Sequence, residues 1–306
     1  MQIKTFIHVF TSALILCVLT TTFTSGAAAQ SRSYSSANFV LELDGIKYGH
    51  IQSVESNGIS GIVNAASPPE GLLRKHIGGV KYEDIKMRVG LSSTGALAEW
   101  IRGFLNNSAS RKNGSIIACD FDYKSKHRFA FTNALITEIG FPACDGASKD
   151  AAFITIKITP ETMKYSAGDG KQVELSASAR EKQKKWLCSN FRFAIDGLDP
   201  ACKKVQKIDE FTIKQKTAAS SGVPGKIEYP NISFYVPENA GGDFESWMKQ
   251  PKEVRKANLE FLDATKNEVL IGLLLPAVAP LRQTPKTDFG SRMSNIEIRV
   301  DKIEMK

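Results

Sequence analysis

The chain has 306 residues, 42% hydrophobic and 24% charged, a balance that fits one or two globular domains and excludes an intrinsically disordered chain. The net charge of +8 permits an anionic partner. No Lys/Arg run is long enough for a dedicated nucleic-acid arm, and the densest, residues 180–185, reads as a solvated linker, so no specific nucleic acid is expected.

In chain order, the first element is a targeting segment, residues 1–29. Lys4 supplies the positive start, residues 6–23 are apolar with interspersed Thr, and Ala27 and Ala29 occupy the small positions of an A-x-A site. Cleavage is expected after Ala29. The apolar core is short and broken by Thr, whereas a spanning helix needs about 20 strongly apolar residues. Cys17 lacks the small residues that precede a lipid-acceptor cysteine. The next most apolar stretch, residues 268–281, is broken by Pro276 and Pro280. The expectation is an exported protein, periplasmic or extracellular, with no membrane span after cleavage.

The stretch "NFVLELDGIKYGHIQSV" alternates apolar and polar residues on either side of Asp44-Gly45, a hairpin signal. An irregular excursion follows, residues 56–79, and then the strand "YEDIKMRVGL". A helix is expected over residues 94–105, with Leu97, Trp100, Ile101, Phe104 and Leu105 at helical spacing and Thr94 as its N-cap. Residues 115–141 read as two strands around a polar turn, and residues 153–165 as a final alternating strand.

The same order of features then recurs. Asn38, Phe39, Asp44 and Gly45 match Asn190, Phe191, Asp196 and Gly197, with Asp196-Gly197 expected to turn a second hairpin. Val54 matches Val205, Tyr82 matches Tyr229, Ile85 matches Ile232, Trp100 matches Trp247, and Asp120 lies near Asp263. Asp243 can cap a shorter second helix carrying Phe244, Trp247 and Met248. At the end, Ile154, Ile156, Ile158 and Met163 fall on Ile296, Ile298, Val300 and Met305. The counterpart of the long excursion, residues 214–226, is shorter. Both tryptophans read as core residues on helix faces.

These elements give a mainly β fold, a β-barrel with one flanking α-helix per unit, present as two tandem domains over residues 36–165 and 186–306. Residues 166–185, Gly/Ser-rich and then charged, read as the linker. Removing residues 1–29 leaves Cys119, Cys144, Cys188 and Cys202, an even count that makes disulfides plausible in an exported protein. Cys119–Cys144 with Cys188–Cys202 keeps each bridge within one half and is preferred; four separate buried thiols is the alternative.

No catalytic constellation, phosphate loop, dinucleotide fingerprint or metal-ligand spacing is visible, so no catalytic residue, cofactor or metal is assigned and an enzyme is not expected.

The succession "FVLELDGI", "KYEDIKMRVGL", "LAEWI", "FTNALITEI" and a closing alternating strand resembles the tail tube proteins of contractile phages. The second half, through "NFRFAIDGL", "PGKIEYPNISFYVPEN" and "FESWM", is similar to bacterial proteins described as phage-tail-like. The resemblance implies the fold shared by phage tail tubes and the type VI secretion tube: a barrel with a helix, assembled in hexameric rings that stack into a hollow tube. For two fused units it implies a trimer of chains forming a pseudo-hexameric ring, with residues 56–79 placed to contact the next ring. Sheath or baseplate proteins are the partners such a tube would meet. The export signal and the cysteines depart from the family pattern. The competing expectation is an exported monomeric binding module, or a secreted effector-like protein, built on the same barrel.

Overall fold

The computed structural model describes residues 38–56, 58–66, 74–90, 95–108, 110–174, 186–217, 224–250, 252–288 and 291–306. The expected signal segment 1–29, the Thr94 cap and residues 175–185 of the expected linker lie outside them.

Alternation decides the strands. In the first half these are β1 (Asn38–Leu43), β2 (Ile46–Ser56), β3 (Ile59–Ala66), β4 (Arg74–Tyr82), β5 (Ile85–Val89), β6 (Lys112–Cys119), β7 (Ser125–Phe141), β8 (Cys144–Asp145), β9 (Ile154–Thr159) and β10 (Thr162–Ala167). In β5, Ile85, Met87 and Val89 are buried while Lys86 and Arg88 are exposed; β9 buries Ile154, Ile156 and Ile158. That period of two puts one face on the core and the other in water. β7 pairs with β6 along its first part and with β9 along its last part, and β6–β1–β2–β5–β9 completes the circuit. Six strands thereby close a barrel.

The β1–β2 hairpin turns at Asp44 (φ 49°) and Gly45 (φ 83°), both left-handed, as a tight two-residue turn requires. The helix α1 (Ala96–Leu105) buries Ala98, Trp100, Ile101, Phe104 and Leu105. Its first N–H, on Ala96, donates to the Tyr48 hydroxyl at 2.9 Å. Gly95, at φ 98°, makes that approach possible: a Cβ there would stand 3.0 Å from the Tyr48 ring.

The second half holds β11 (Phe191–Ile195), α2 (Asp199–Cys202), β12 (Lys207–Ile208), β13 (Phe211–Thr217), β14 (Pro224–Glu228), β15 (Ile232–Pro237), α3 (Gly242–Met248), β16 (Arg255–Leu262), β17 (Val269–Asp288), β18 (Ser291–Val300) and β19 (Glu304–Met305). Its ladder keeps the register of the first. Ile85, Met87 and Val89 face Ile158, Ile156 and Ile154, as Ile232, Phe234 and Val236 face Ile298, Ile296 and Ser294. Even the bulge recurs: the β7–β9 ladder slips between Ile136 and Glu138, the β17–β18 ladder between Pro280 and Arg282. The mostly β, barrel-like architecture with flanking helices is the one expected.

Several details differ. The ladder sets Ile156 and Ile158 against Ile296 and Ile298, two residues from the expected alignment, and Met305 takes the place of Tyr165. Asp196-Gly197 does not turn a hairpin. Gly197 is left-handed (φ 77°), but Pro200 lies in the first turn of α2, a helix that cannot join a ladder, and among the described residues β11 pairs only with β16. The inserted helix also moves Ile208, rather than Val205, into the ladder position of Val54. Asp243 lies in the first turn of α3, where it complements the helix dipole; Gly241 is the cap residue.

Part of the expected linker packs on the first barrel: β10 runs to Ala167, and Val173 is buried with Val40, Ile117 and Cys119. Residues 36–306 form one compact unit, and one hydrophobic cluster runs through both halves.

Candidate assembly surface

Within the chain, a strand of the second half completes a sheet of the first. β13 pairs with β7 in the order Phe211↔Phe141, Thr212↔Gly140, Ile213↔Ile139, Lys214↔Glu138. Of these, Glu138, Ile139 and Gly140 already hold β9 on their other side. Without β13 this stretch of β7 would be an edge with a row of unmet N–H and C=O groups. A second backbone link lies beside it, β8 against β12 through Ile208↔Cys144 and Lys207↔Asp145.

Apolar rings fill the space beneath. Phe141 stacks on Phe211 at 5.0 Å and on Phe261 at 5.5 Å, and Trp186 meets Phe261 edge-on at 4.9 Å. At the end of α1, the Tyr229 hydroxyl donates to the Leu105 carbonyl at 3.3 Å and the Gln215 amide to Asn107 Oδ1 at 3.1 Å.

The polar face of the joined sheet carries a row of charges. Cross-strand neighbours run Glu55, Lys86, Lys157, Glu138, Lys214, Glu228, from β2 to β14. Lys157 Nζ lies 3.0 Å from Asp84 and 3.2 Å from Glu138. Partial burial pulls its pKa down, but the hydrogen bonds to Asp84 and Glu138 outweigh it and the net shift is upward. In the second half the equivalent pair is reversed: Glu297 stands where Lys157 stands, and Arg282 where Glu138 stands, 2.7 Å apart.

Two edges match the elements that make the internal junction. The β3–β4 ribbon is the first-half equivalent of β13–β14, as the Tyr82 and Tyr229 positions show: Tyr82 lies opposite Ile59, and Tyr229 follows Glu228, itself opposite Lys214. Among the described residues β3 pairs only with β4. Ile59, Ile62, Ile77 and Val80 on this ribbon are 47% to 72% exposed. The other edge is β17 beyond Val278, which among the described residues pairs only with β18. Residues 56–79, expected as an irregular excursion, thus include an ordered ribbon with an apolar surface.

The corresponding turns of the two halves are held alike. Asn38 Nδ2 donates to the Asp120 carbonyl at 3.1 Å, and Asn190 Nδ2 to the Asp263 carbonyl at 2.7 Å. Asp120 Oδ1 accepts from the Lys124 and Asp122 N–H groups at 2.9 and 3.0 Å, and Asp263 Oδ1 from Asn267 and Glu268 at 3.0 and 3.1 Å. These bonds, from the Lys124 amide first for Asp120 and from the Thr265 hydroxyl first for Asp263, hold both carboxyls below the usual carboxylate range. Trp100 and Trp247, both buried, donate Nε1–H to the Ser110 and Glu253 carbonyls at 2.8 and 3.1 Å.

All four described cysteines are free thiols. Cys119 ends β6 opposite the start of β7, while Cys144 follows the far end of that 17-residue strand. At about 3.3 Å per residue those ends lie tens of Å apart along the strand, so the preferred Cys119–Cys144 bridge has no geometric support. Burial pushes Cys119 up to about 11 and Cys202 up to about 12. Among the described residues no cluster of three or more His, Cys, Asp or Glu could hold a metal. None of the helices among them is long and apolar enough to cross a membrane.

The junction residues 138–141 and 211–214 and the β17 edge were not singled out in the sequence. Their signal was present, since "TEIGF" and "EFTIK" both alternate, but alternation does not say which strand pairs with which.

Residues 35–164 match the family model of the T4-like virus tail tube protein gp19. No curated protein matches the chain. Three similar solved structures each cover less than half of it. One is an extracellular contractile injection system, the PVC sheath-tube complex in the extended state (21% identity, 42% of this chain and 88% of that one, TM-score 0.36). Another is the anti-feeding prophage tube terminating cap (18% identity, 43% and 89%, TM-score 0.36). A third is Hcp1 from Flavobacterium johnsoniae (20% identity, 43% and 96%, TM-score 0.31). The family model thus bears out, over residues 35–164, the resemblance to tail tube proteins read from the sequence.

Proposed function

We propose that the protein is an exported tube-type building block in which each chain supplies two ring positions, residues 36–165 and 186–306, and three chains close a pseudo-hexameric ring. The observation that carries this reading is the internal junction. The β13–β14 ribbon already adds to the β7 edge, while among the described residues its counterpart ribbon and the counterpart edge on β17 have no such partner strand. A contact between two different faces, repeated at a fixed rotation, closes a ring. Carrying the internal register over places Ile59 of one chain opposite Gln283 of the next, and Ser60 opposite Arg282. Ser60 is bonded to Glu83, so an acid faces the arginine.

The exposed isoleucines would give the contact an apolar surface, and Ile62 and Ile77, nearer the ribbon tip, would meet a following ring; their exposure supports this reading. Stacked rings would form a tube whose outer face could carry sheath- or baseplate-like partners. Export rests on the pattern of residues 1–29 with its expected cut after Ala29.

Light scattering on the purified protein across a concentration series tests the assembly. Trimers, or multiples of trimers, are expected for the wild type, and monomers for the double variant Ile59→Asp/Ile62→Asp. A wild type that stays monomeric at high concentration would overturn the ring and leave the monomeric binding module in its place.

A further inference from the structure

We infer that Cys144 and Cys188 form a disulfide that staples the first half of the chain to the second across their junction. The backbone brings them together. The Asp145 N–H donates to the Cys188 carbonyl at 3.0 Å, and the Cys188 N–H to the Asp150 carbonyl at 3.0 Å. Ala151 bridges Leu187 and the Ala152 N–H donates to the Trp186 carbonyl at 2.9 Å, so residues 186–188 run antiparallel along 145–152. One hydrogen bond and short covalent paths separate the two cysteine Cα atoms, which places them within about 8 Å even at full stretch. A disulfide needs Cα atoms about 4.4–6.8 Å apart, a range that lies within that upper limit, and side-chain rotation then brings the sulfurs together.

The side chains share one environment. Cys144 is buried in the hydrophobic cluster that runs through both halves, and half-buried Cys188 packs against the same cluster. Burial raises the Cys144 pKa most, and charge on Cys188 raises it further, so the two sulfurs sense each other. Cys188 is raised by burial, then by Asp150 and Asp145, and is lowered by Arg88. Cys119 and Cys202 lie elsewhere: Cys119 with Val40, Ile117 and Val173, Cys202 in α2 against the Ile195 backbone.

The chemistry is thiol–disulfide exchange with a small disulfide as the oxidant. The Cys188 thiolate, the more accessible of the two, attacks one sulfur of glutathione disulfide; that S–S bond breaks and one glutathione thiolate leaves. Cys144 gives up its proton and attacks the Cys188 sulfur of the mixed disulfide, expelling the second glutathione. The two cysteines lose two protons and two electrons, and the oxidant becomes two thiols. Outside a reducing cytoplasm the product persists. It closes a loop of roughly 45 residues, long enough for a substantial loss of freedom in the unfolded chain. It also fixes the angle between the two ribbon-and-edge units, whether or not rings form.

Peptide mapping tests the assignment. The purified protein is incubated with glutathione disulfide, free thiols are alkylated under native conditions, and the digest is analysed without reduction. One linked pair containing Cys144 and Cys188 is expected, with Cys119 and Cys202 alkylated only after unfolding. The thermal midpoint should rise by several degrees over the reduced protein, a gain absent in Cys188→Ser. The variant Cys119→Ser/Cys202→Ser should keep the bridge. Recovery of Cys144 and Cys188 as free thiols after the incubation, or a Cys188–Cys202 link, would overturn the assignment.

Discussion

In the first half, β1 pairs with β2 and the barrel shuts; in the second, β11 pairs among the described residues only with β16, and α2 follows it in the chain. The ribbons differ in the same way. β13–β14 lies along β7, whereas β3–β4 stands as a separate two-stranded sheet with exposed isoleucines. The reversed ion pair, Lys157–Glu138 against Glu297–Arg282, makes the two joining edges electrostatically distinct. A conserved ladder with altered edges indicates where change is tolerated. The buried face must keep its register, because a slip of one residue would turn every core side chain outward. The edges and polar faces can diverge, and they decide what each half joins.

The largest expected effect comes from breaking the seam between the halves. Phe141→Ala removes a buried ring that touches Phe211 and Phe261, and urea unfolding should register a loss of about 3–5 kcal/mol. Because one cluster spans the seam, the wild type should unfold in a single transition; two transitions in the variant would show that the halves have become independent. The turn locks sharpen the comparison further. Asn190 is buried and its bond to Asp263 is short, while half-buried Asn38 reaches Asp120 at a longer distance. Asn190→Ala should cost about 2 kcal/mol and Asn38→Ala about 1 kcal/mol, read from the same denaturation curves.

Acid should weaken both turns. Asp120 and Asp263 titrate below the ordinary carboxylate value of about 3.9, so their contribution is full above that pH and is lost as pH falls through the folded values. Lys157 titrates above its ordinary value, so its contribution is full below about 10.4 and is lost as pH rises beyond it. Urea midpoints should therefore fall at both ends of the pH range, and Asp263→Asn should flatten part of the acid limb. The smallest stability effect belongs to the free ribbon: Ile59→Asp/Ile62→Asp should change folding by no more than about 0.5 kcal/mol while removing assembly.

Much of this was legible in the sequence. Alternation in "IKMRV" and "ITIKIT" placed the ladder strands, the spacing of Trp100, Ile101, Phe104 and Leu105 placed α1, and the tryptophans were core as expected. Asp44-Gly45 turned its hairpin as expected, but the same dipeptide at 196–197 did not, because a helix with Pro200 in its first turn follows. The two-residue error in the last strand arose because alternating isoleucines match equally well at any even shift. Strand partners across the seam were not legible: the pairing of Phe211 with Phe141 is set by three-dimensional closure, not by local pattern.

The junction inside one chain is the template proposed for the junction between chains. Singly substituted Ser60→Cys and Arg282→Cys proteins, mixed and mildly oxidised, test that pairing. A covalent dimer is expected in the mixture and in neither protein alone, because the internal register, carried over, would set Ser60 of one chain opposite Arg282 of the next. Rings that form without that cross-link would overturn the template.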